Sequence, residues 1–166
     1  MDRAIFNRRY TDFTPGTTQV WLANGAGVTT GLSSTQNFTA GANLTQGTVV
    51  YVSGTYVLPA SAASGVAAEQ YNAIGITAAS AGVTSGVAVN LDDIAVVGSA
   101  NLVGETSLTP GQFYYLSKYT GQLTKFQTAS GTVTASGGYA ALVSVGLALS
   151  STEIQVEIQP PTVLYS

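Results

Sequence analysis

Acid–base chemistry in this sequence would have to come from carboxylates. The chain contains no histidine and no cysteine. That removes imidazole general bases, thiolate nucleophiles and the triads that combine them. It also removes disulfides and every metal site built on His or Cys. The one adjacent acidic pair is Asp92-Asp93. Neighbours on a strand point to opposite faces, so the pair is not a ready acid–base dyad. A Ca²⁺ site needs about six to eight oxygens, and only Asn90 stands close in sequence, so a surface turn is expected. Glu153 and Glu157 share one face of an alternating EIQVEI stretch with Gln155. Glycosidase carboxylates need a cleft and one raised pKa, and a plain alternating strand reads instead as a polar face. Gly82–Gly86 (GVTSG) lacks the lysine and the following helix of a phosphate loop. No catalytic residue, cofactor or metal site is expected.

Tyrosine is the remaining chemistry-bearing residue, with nine in the chain. Tyr114, Tyr115 and Tyr119 cluster within a few positions. Such rings could stack on sugars or bury in a protein interface with the hydroxyl satisfied. Composition favours the interface. Charged residues make up 8% of the chain, against roughly 25% in ordinary domains. So few charges make a poor colloid, so much of the surface is expected to be covered by copies of the chain or by another protein. The net charge of −3 lacks the basic face that nucleic acid requires. No run approaches the roughly 18 apolar residues of a membrane helix, and no apolar core follows the arginines of Met1–Tyr10, so neither a membrane partner nor a signal peptide is expected. The chain reads as a complete soluble product.

These tyrosines must be positioned by a β-hairpin. Leu108-Thr109-Pro110-Gly111 is a turn signal, and Gln112–Ser117 is a short aromatic strand. Lys118–Gly121 turns the chain, and Gln122–Thr124 returns. A weaker copy lies upstream. Leu44-Thr45-x-Gly47-x-x-x-Tyr51-x-Ser53 matches Leu108-Thr109-x-Gly111-x-x-x-Tyr115-x-Ser117 at a constant spacing of 64 positions. Each copy continues through a loose Ala/Ser/Gly segment, Ala60–Glu69 or Thr128–Gly138. Each then has an apolar strand around a central glycine, Gly75 or Gly146, now spaced by 71 positions. Each ends on an alternating strand, Gly86–Val89 or Glu153–Ile158. Asp92–Val103 between them reads as a bulged strand interrupted by Gly98.

The ends stand apart. Met1–Gly16 carries Arg3, Arg8 and Arg9 against two aspartates, with Phe6, Tyr10 and Phe13 among them. It reads as an N-terminal arm, either an ordered leader that packs on its own domain or one that docks on an acidic neighbouring subunit. Thr17–Ala23 reads as a strand carrying Trp21, a core or interface residue. The tail Gln159–Ser166 is held extended by Pro160-Pro161, with Leu164 and Tyr165 to bury. The expected organisation is an arm at 1–16, a β domain at 17–158 with pseudo-repeats near 43–90 and 107–158, and a tail at 159–166. The interface candidates are Arg3, Phe6, Arg8, Arg9, Tyr10 and Phe13 in the arm, with Trp21, Tyr114, Tyr119, Leu164 and Tyr165 beyond it.

Many short strands with Gly, Ser and Thr turns predict an all-β, barrel- or sandwich-like domain of antiparallel strands. From Asn43 onward the grammar also resembles a module of tailed-bacteriophage virion proteins. The residues that carry it are Leu108–Ser117, Thr120–Thr124, Val145–Ser150 and Glu153–Ile158. The module occurs in head decoration (cement) proteins and in head or tail fibres. The resemblance implies a symmetric homo-oligomer, commonly a trimer, on the particle surface, with the major capsid protein as partner. It implies a non-enzymatic decoration protein on the outer surface of the head, bridging adjacent capsid subunits through the arm and tail. The alternative is a receptor- or glycan-binding fibre or tail module.

Overall fold

The computed structural model describes residues 34–128, 131–135 and 137–164. The arm Met1–Gly16, the expected strand with Trp21 and the expected boundary at Gly16 lie outside the described residues. From Thr35 onward the described residues belong to one unit, and that unit is all-β.

The first half contains β1 (Thr35–Ala40), β2 (Val49–Ser53), β3 (Tyr56–Pro59), β4 (Ala73–Thr77) and β5 (Gly86–Asn90). They close into a barrel in the order β1-β3-β2-β4-β5. A parallel pair completes the ring, with Thr39 opposite Tyr56 and Ala40 opposite Val57. The second half contains β6 (Ile94–Val96), β7 (Phe113–Leu116), β8 (Leu123–Thr124), β9 (Gln127–Thr128), β10 (Gly131–Thr132), β11 (Ala141–Leu142), β12 (Ser144–Ala148), β13 (Glu153–Val156) and β14 (Thr162–Val163). Its main sheet runs β6-β13-β12-β7-β8, while β9 pairs β10 and β11 pairs β14.

The two halves are the same design. Read around the barrel, β1-β5-β4-β2-β3 answers β6-β13-β12-β7-β8 strand for strand. Val50 faces Gly75 as Tyr114 faces Gly146. Thr77 faces Val89 as Ala148 faces Ile154. Gln36 faces Val89 as Ala95 faces Ile154. Even the seam corresponds. Gly41 N–H donates to the Val57 carbonyl at 2.9 Å, and Val103 N–H donates to the Leu123 carbonyl at 3.0 Å. In the second half, however, the seam is reduced to one parallel bridge, Leu102 with Leu123.

A β-bulge recurs at the same place in each half, where β2 meets β4 and where β7 meets β12. Bulges bend a strand and increase its twist, which is what a small barrel requires. The residue at each bend must be glycine. A Cβ on Gly75 would overlap the Asn90 carbonyl oxygen, and one on Gly146 would overlap that of Gln155.

Alternation along these strands fills the barrels. Ala40, Leu44, Val50, Val57, Val87 and Val89 form one buried cluster. The repeat carries Leu44, Val50, Val57 and Val89 onto Leu108, Tyr114, Leu123 and Ile154, which belong to the larger second cluster. That cluster also takes in Val49, Tyr51 and Ile76 from the first half, so the halves share a core. Backbone bonds join them: Val49 N–H donates to the Gly121 carbonyl at 3.1 Å, and Gly121 N–H donates to the Ala60 carbonyl at 2.7 Å. Gly121 is in the left-handed region (φ +75°), and a Cβ there would come within 2.7 Å of Thr48 Cγ2. The hairpin turn of the second half is thereby pressed onto the first.

The region expected as one strand over Asp92–Val103 is strand only at Ile94–Val96. It then tightens into a 3-10 turn at Ser99–Asn101, because buried Asn101 accepts the Gly98 N–H at 3.3 Å and offers the backbone a local alternative to the ladder. The alternating stretch expected to reach Ile158 is strand through Val156, and Glu157 N–H still donates to the Val145 carbonyl at 2.8 Å. Within the loop expected over Thr128–Gly138 the chain makes a small ladder, Gln127–Thr128 with Gly131–Thr132. The tail is tied to its own domain: Thr162–Val163 pairs with Ala141–Leu142, Leu164 N–H donates to the Ala140 carbonyl at 2.9 Å, and Leu164 packs on the core.

Two outcomes follow from this packing. Gly146→Ala should lose about 3 kcal/mol or more in denaturant titration, the upper range for overpacking, because rigid backbone opposes the methyl. Gly86→Ala, where a methyl meets nothing within 4 Å, should be neutral or gain up to about 1 kcal/mol. Equal stabilities would contradict the close-approach account. The second outcome concerns Tyr51. Burial raises its phenol pKa, and the Glu69 carboxylate adds to the rise. Above pH 10 the unfolded phenol loses its proton while the folded one keeps it, so stability falls as pH rises from about 10 through the folded pKa. Tyr51→Phe should flatten that alkaline loss in pH-dependent melts.

Candidate interaction surface

The hairpin β7–β8 has two different faces. Its inner face is set by Tyr114, which is fully buried. A buried phenol needs partners, and Tyr114 has two. Its hydroxyl accepts from Thr109 N–H at 2.9 Å and donates to Glu105 Oε1 at 3.0 Å. Glu105 Oε2 is buried and makes no hydrogen bond of good geometry, but lies 3.2 Å from Lys125 Nζ as an ion pair. Lys125 Nζ also donates to Thr109 Oγ1 at 3.2 Å. This small network pins the loop before β7 to the end of β8. Tyr114 is therefore a core residue, which corrects its reading as an interface candidate. A one-residue shift decides it, because period 2 sends Tyr114 inward and its neighbours Phe113 and Tyr115 outward.

The outer face carries aromatic surface. Phe113 and Phe126 are exposed, and Tyr115 meets Phe126 edge-on with centroids 6.0 Å apart and planes at 60°. Together with Gly111, Gln112 and Lys125 they line an open groove of about 440 Å³. Neither phenylalanine was singled out from the sequence. The signal was present in the repeat, since Phe113 stands where the first half has Val49. Tyr119 is half exposed at the hairpin turn, with Lys118 Nζ 5.7 Å from its ring centre. Lys118 is held there by the Gly137 carbonyl at 2.9 Å and lies 5.8 Å over the Tyr139 ring.

Of the sequence candidates, Tyr114, Tyr119 and Leu164 fall within the described residues. Tyr119 is on the surface and Leu164 packs on the core of its own domain. Arg3, Phe6, Arg8, Arg9, Tyr10, Phe13, Trp21 and Tyr165 lie outside the described residues. Among the described residues the acids do not converge. Asp92 and Asp93 sit in an exposed turn where Asp93 Oδ1 accepts Ile94 N–H at 2.7 Å. Glu153 is exposed on β13, and Glu157 is exposed just beyond it. Among the described residues no three acidic side chains gather as metal ligands, and no helix is long and apolar enough to cross a membrane. What the arrangement can do chemically is present rings to another surface. No protein-family model matches this chain, and no curated protein does.

The phenol network gives a direct test. Tyr114→Phe strands the Thr109 N–H and leaves Glu105 Oε1 with only the long bond from Thr109 Oγ1 at 3.4 Å, and should cost about 1–3 kcal/mol. Tyr119→Phe, at a half-exposed ring, should change stability by less than about 0.5 kcal/mol. Denaturant midpoints of the two variants separate these outcomes.

Proposed function

We propose that this chain is a non-enzymatic decoration (cement) protein of a tailed-bacteriophage head. It sits on the outer surface of the virion, binds the major capsid protein and bridges adjacent capsid subunits as a homo-oligomer, with a trimer favoured. One observation carries the reading: large aromatic side chains stand outside a fold with 8% charged residues. Exposed apolar patches on such a charge-poor chain mark surfaces that another protein covers. The resemblance of the hairpin grammar to phage virion modules supplies the kind of particle. Bridging needs no strong single contact, because many weak copies on one shell add through multivalency.

A second reading, a receptor- or glycan-binding fibre or tail module, is favoured by the Phe113, Tyr115 and Phe126 groove. Aromatic faces beside Gln112 and Lys125 suit a sugar ring as well as a side chain.

Thermal and osmotic rupture of particles with and without the protein tests the first reading. Particles lacking it should burst at lower temperature, and adding it back should restore the threshold. Unchanged rupture, with the protein absent from wild-type shells, would overturn the cement role. Binding of the purified protein to host surface glycan in place of shells would establish the second.

A further inference from the structure

The internal repeat can be used to ask which faces of one half are covered in the other. Val49, Tyr51 and Ala60 lie on the outside of the first barrel. They are buried, with Val49 and Ala60 at 0% exposure, because the second half covers them. The covering element is the hairpin turn that contains Gly121, bonded to Val49 and Ala60. Strand registers carry these three residues onto Phe113, Tyr115 and Phe126. There the situation is reversed: Phe113 is 54% exposed and Phe126 43%. Among the described residues the face that the first half buries is open in the second at Phe113 and Phe126, which replace Val49 and Ala60, while Tyr115, the counterpart of Tyr51, is partly buried against the core.

The covering element has its own counterpart. The turn between β7 and β8 corresponds to the turn between β2 and β3, at Gly54-Thr55. That turn is also open. A methyl on Gly54 would meet nothing within 4 Å, and the flanking Val52 and Tyr56 are 40% and 44% exposed. A second contact repeats the pattern. A Cβ on Gly47 would strike the Asn101 side chain and the Val96 carbonyl of the second half, whereas its counterpart Gly111 faces open space.

We propose that the aromatic face Phe113–Tyr115–Phe126 of one copy docks on the Val52–Tyr56 turn of a second copy, repeating between molecules the contact that joins the two halves within one. Each chain then carries one donor face and one acceptor turn. Such a contact is heterologous, running head to tail, and closes into a ring or extends as a chain according to its rotation. The occupant is a second copy because the same fold already fills the equivalent site once. This inference deepens the oligomer named above but draws only on the internal repeat, and it stands without any shell.

Because the chain has no cysteine of its own, single thiols can map the contact cleanly in the full-length protein. Phe126→Cys and Tyr56→Cys are made separately and treated with a short bismaleimide, alone and mixed. Head-to-tail docking predicts little dimer from either variant alone and strong cross-linking from the mixture. Dimer from Phe126→Cys alone would mean that the aromatic face pairs with itself and would overturn the proposal, as would no cross-linking in the mixture. Light scattering gives an independent readout. Phe113→Lys with Phe126→Ser, and Tyr56→Lys with Val52→Ser, should each abolish association, and mixing them should restore only a one-to-one dimer. Wild-type protein that stays monomeric at its highest soluble concentration would also overturn the inference. A failed particle-rupture experiment with successful cross-linking would remove the cement role and leave the self-contact.

Discussion

The fold depends on two places where backbone occupies the space of a side chain. At Gly75 and Gly146 a neighbouring carbonyl, from Asn90 or Gln155, sits where a Cβ would be. The close approach lets β4 and β12 bend sharply between two partners without losing either ladder. A bulge on one side and an intact pair on the other turn a flat ribbon into the wall of a barrel. With any other residue the sheet would have to open on one side. Strand order, inner and outer faces and the position of the seam all follow from that bend. This explains why both halves keep the glycine while the residues around it have diverged.

Divergence shows most clearly in the interiors. Val50, Val57 and Ala40 of the first barrel become Tyr114, Leu123 and Leu102 at the matching positions of the second. Larger side chains need a wider ring. The first barrel closes with a parallel ladder, whereas the second closes with one bridge and an inserted 3-10 turn. Tyr114 also brings a hydroxyl that must be satisfied in the dark of the core. The Thr109 N–H and Glu105 meet that need, and Lys125 pairs with Glu105 from the rim of the groove.

Much of this was legible in the sequence for a local reason. The turn glycines at 47 and 111 and the strands that start two residues later are short-range signals, and their spacing of 64 is also the spacing of the paired residues Val50 and Tyr114 opposite their glycines. The all-β class and the hairpins followed. The parallel pairing of β1 with β3 did not, because the two are separated by the whole of β2 and no local turn signal joins them. The short ladder at β9 and β10 is too brief to show a period. Tyr114 was misread as surface because adjacent tyrosines look equivalent until a register assigns one inward and one outward. Aligning it with inward Val50 would have settled the matter, and the same alignment exposes Phe113 as the residue out of place.

Asymmetry between otherwise equivalent halves is therefore where the proposed self-contact lies. In a perfect duplication every outer position would be equally suited to solvent. Here Val49 and Ala60 are buried in one half, while their counterparts Phe113 and Phe126 are exposed in the other. Replacement of Val49 and Ala60 by Phe113 and Phe126 enlarges the apolar area on the side that no part of the chain covers among the described residues. Rings offer large, rigid contact at low entropic cost, a sensible choice where few charges are available to steer or orient a partner. A surface of this kind gains specificity from shape and from the open turn that fits it. The first barrel, with its covered face, then serves as the template from which that fit can be read.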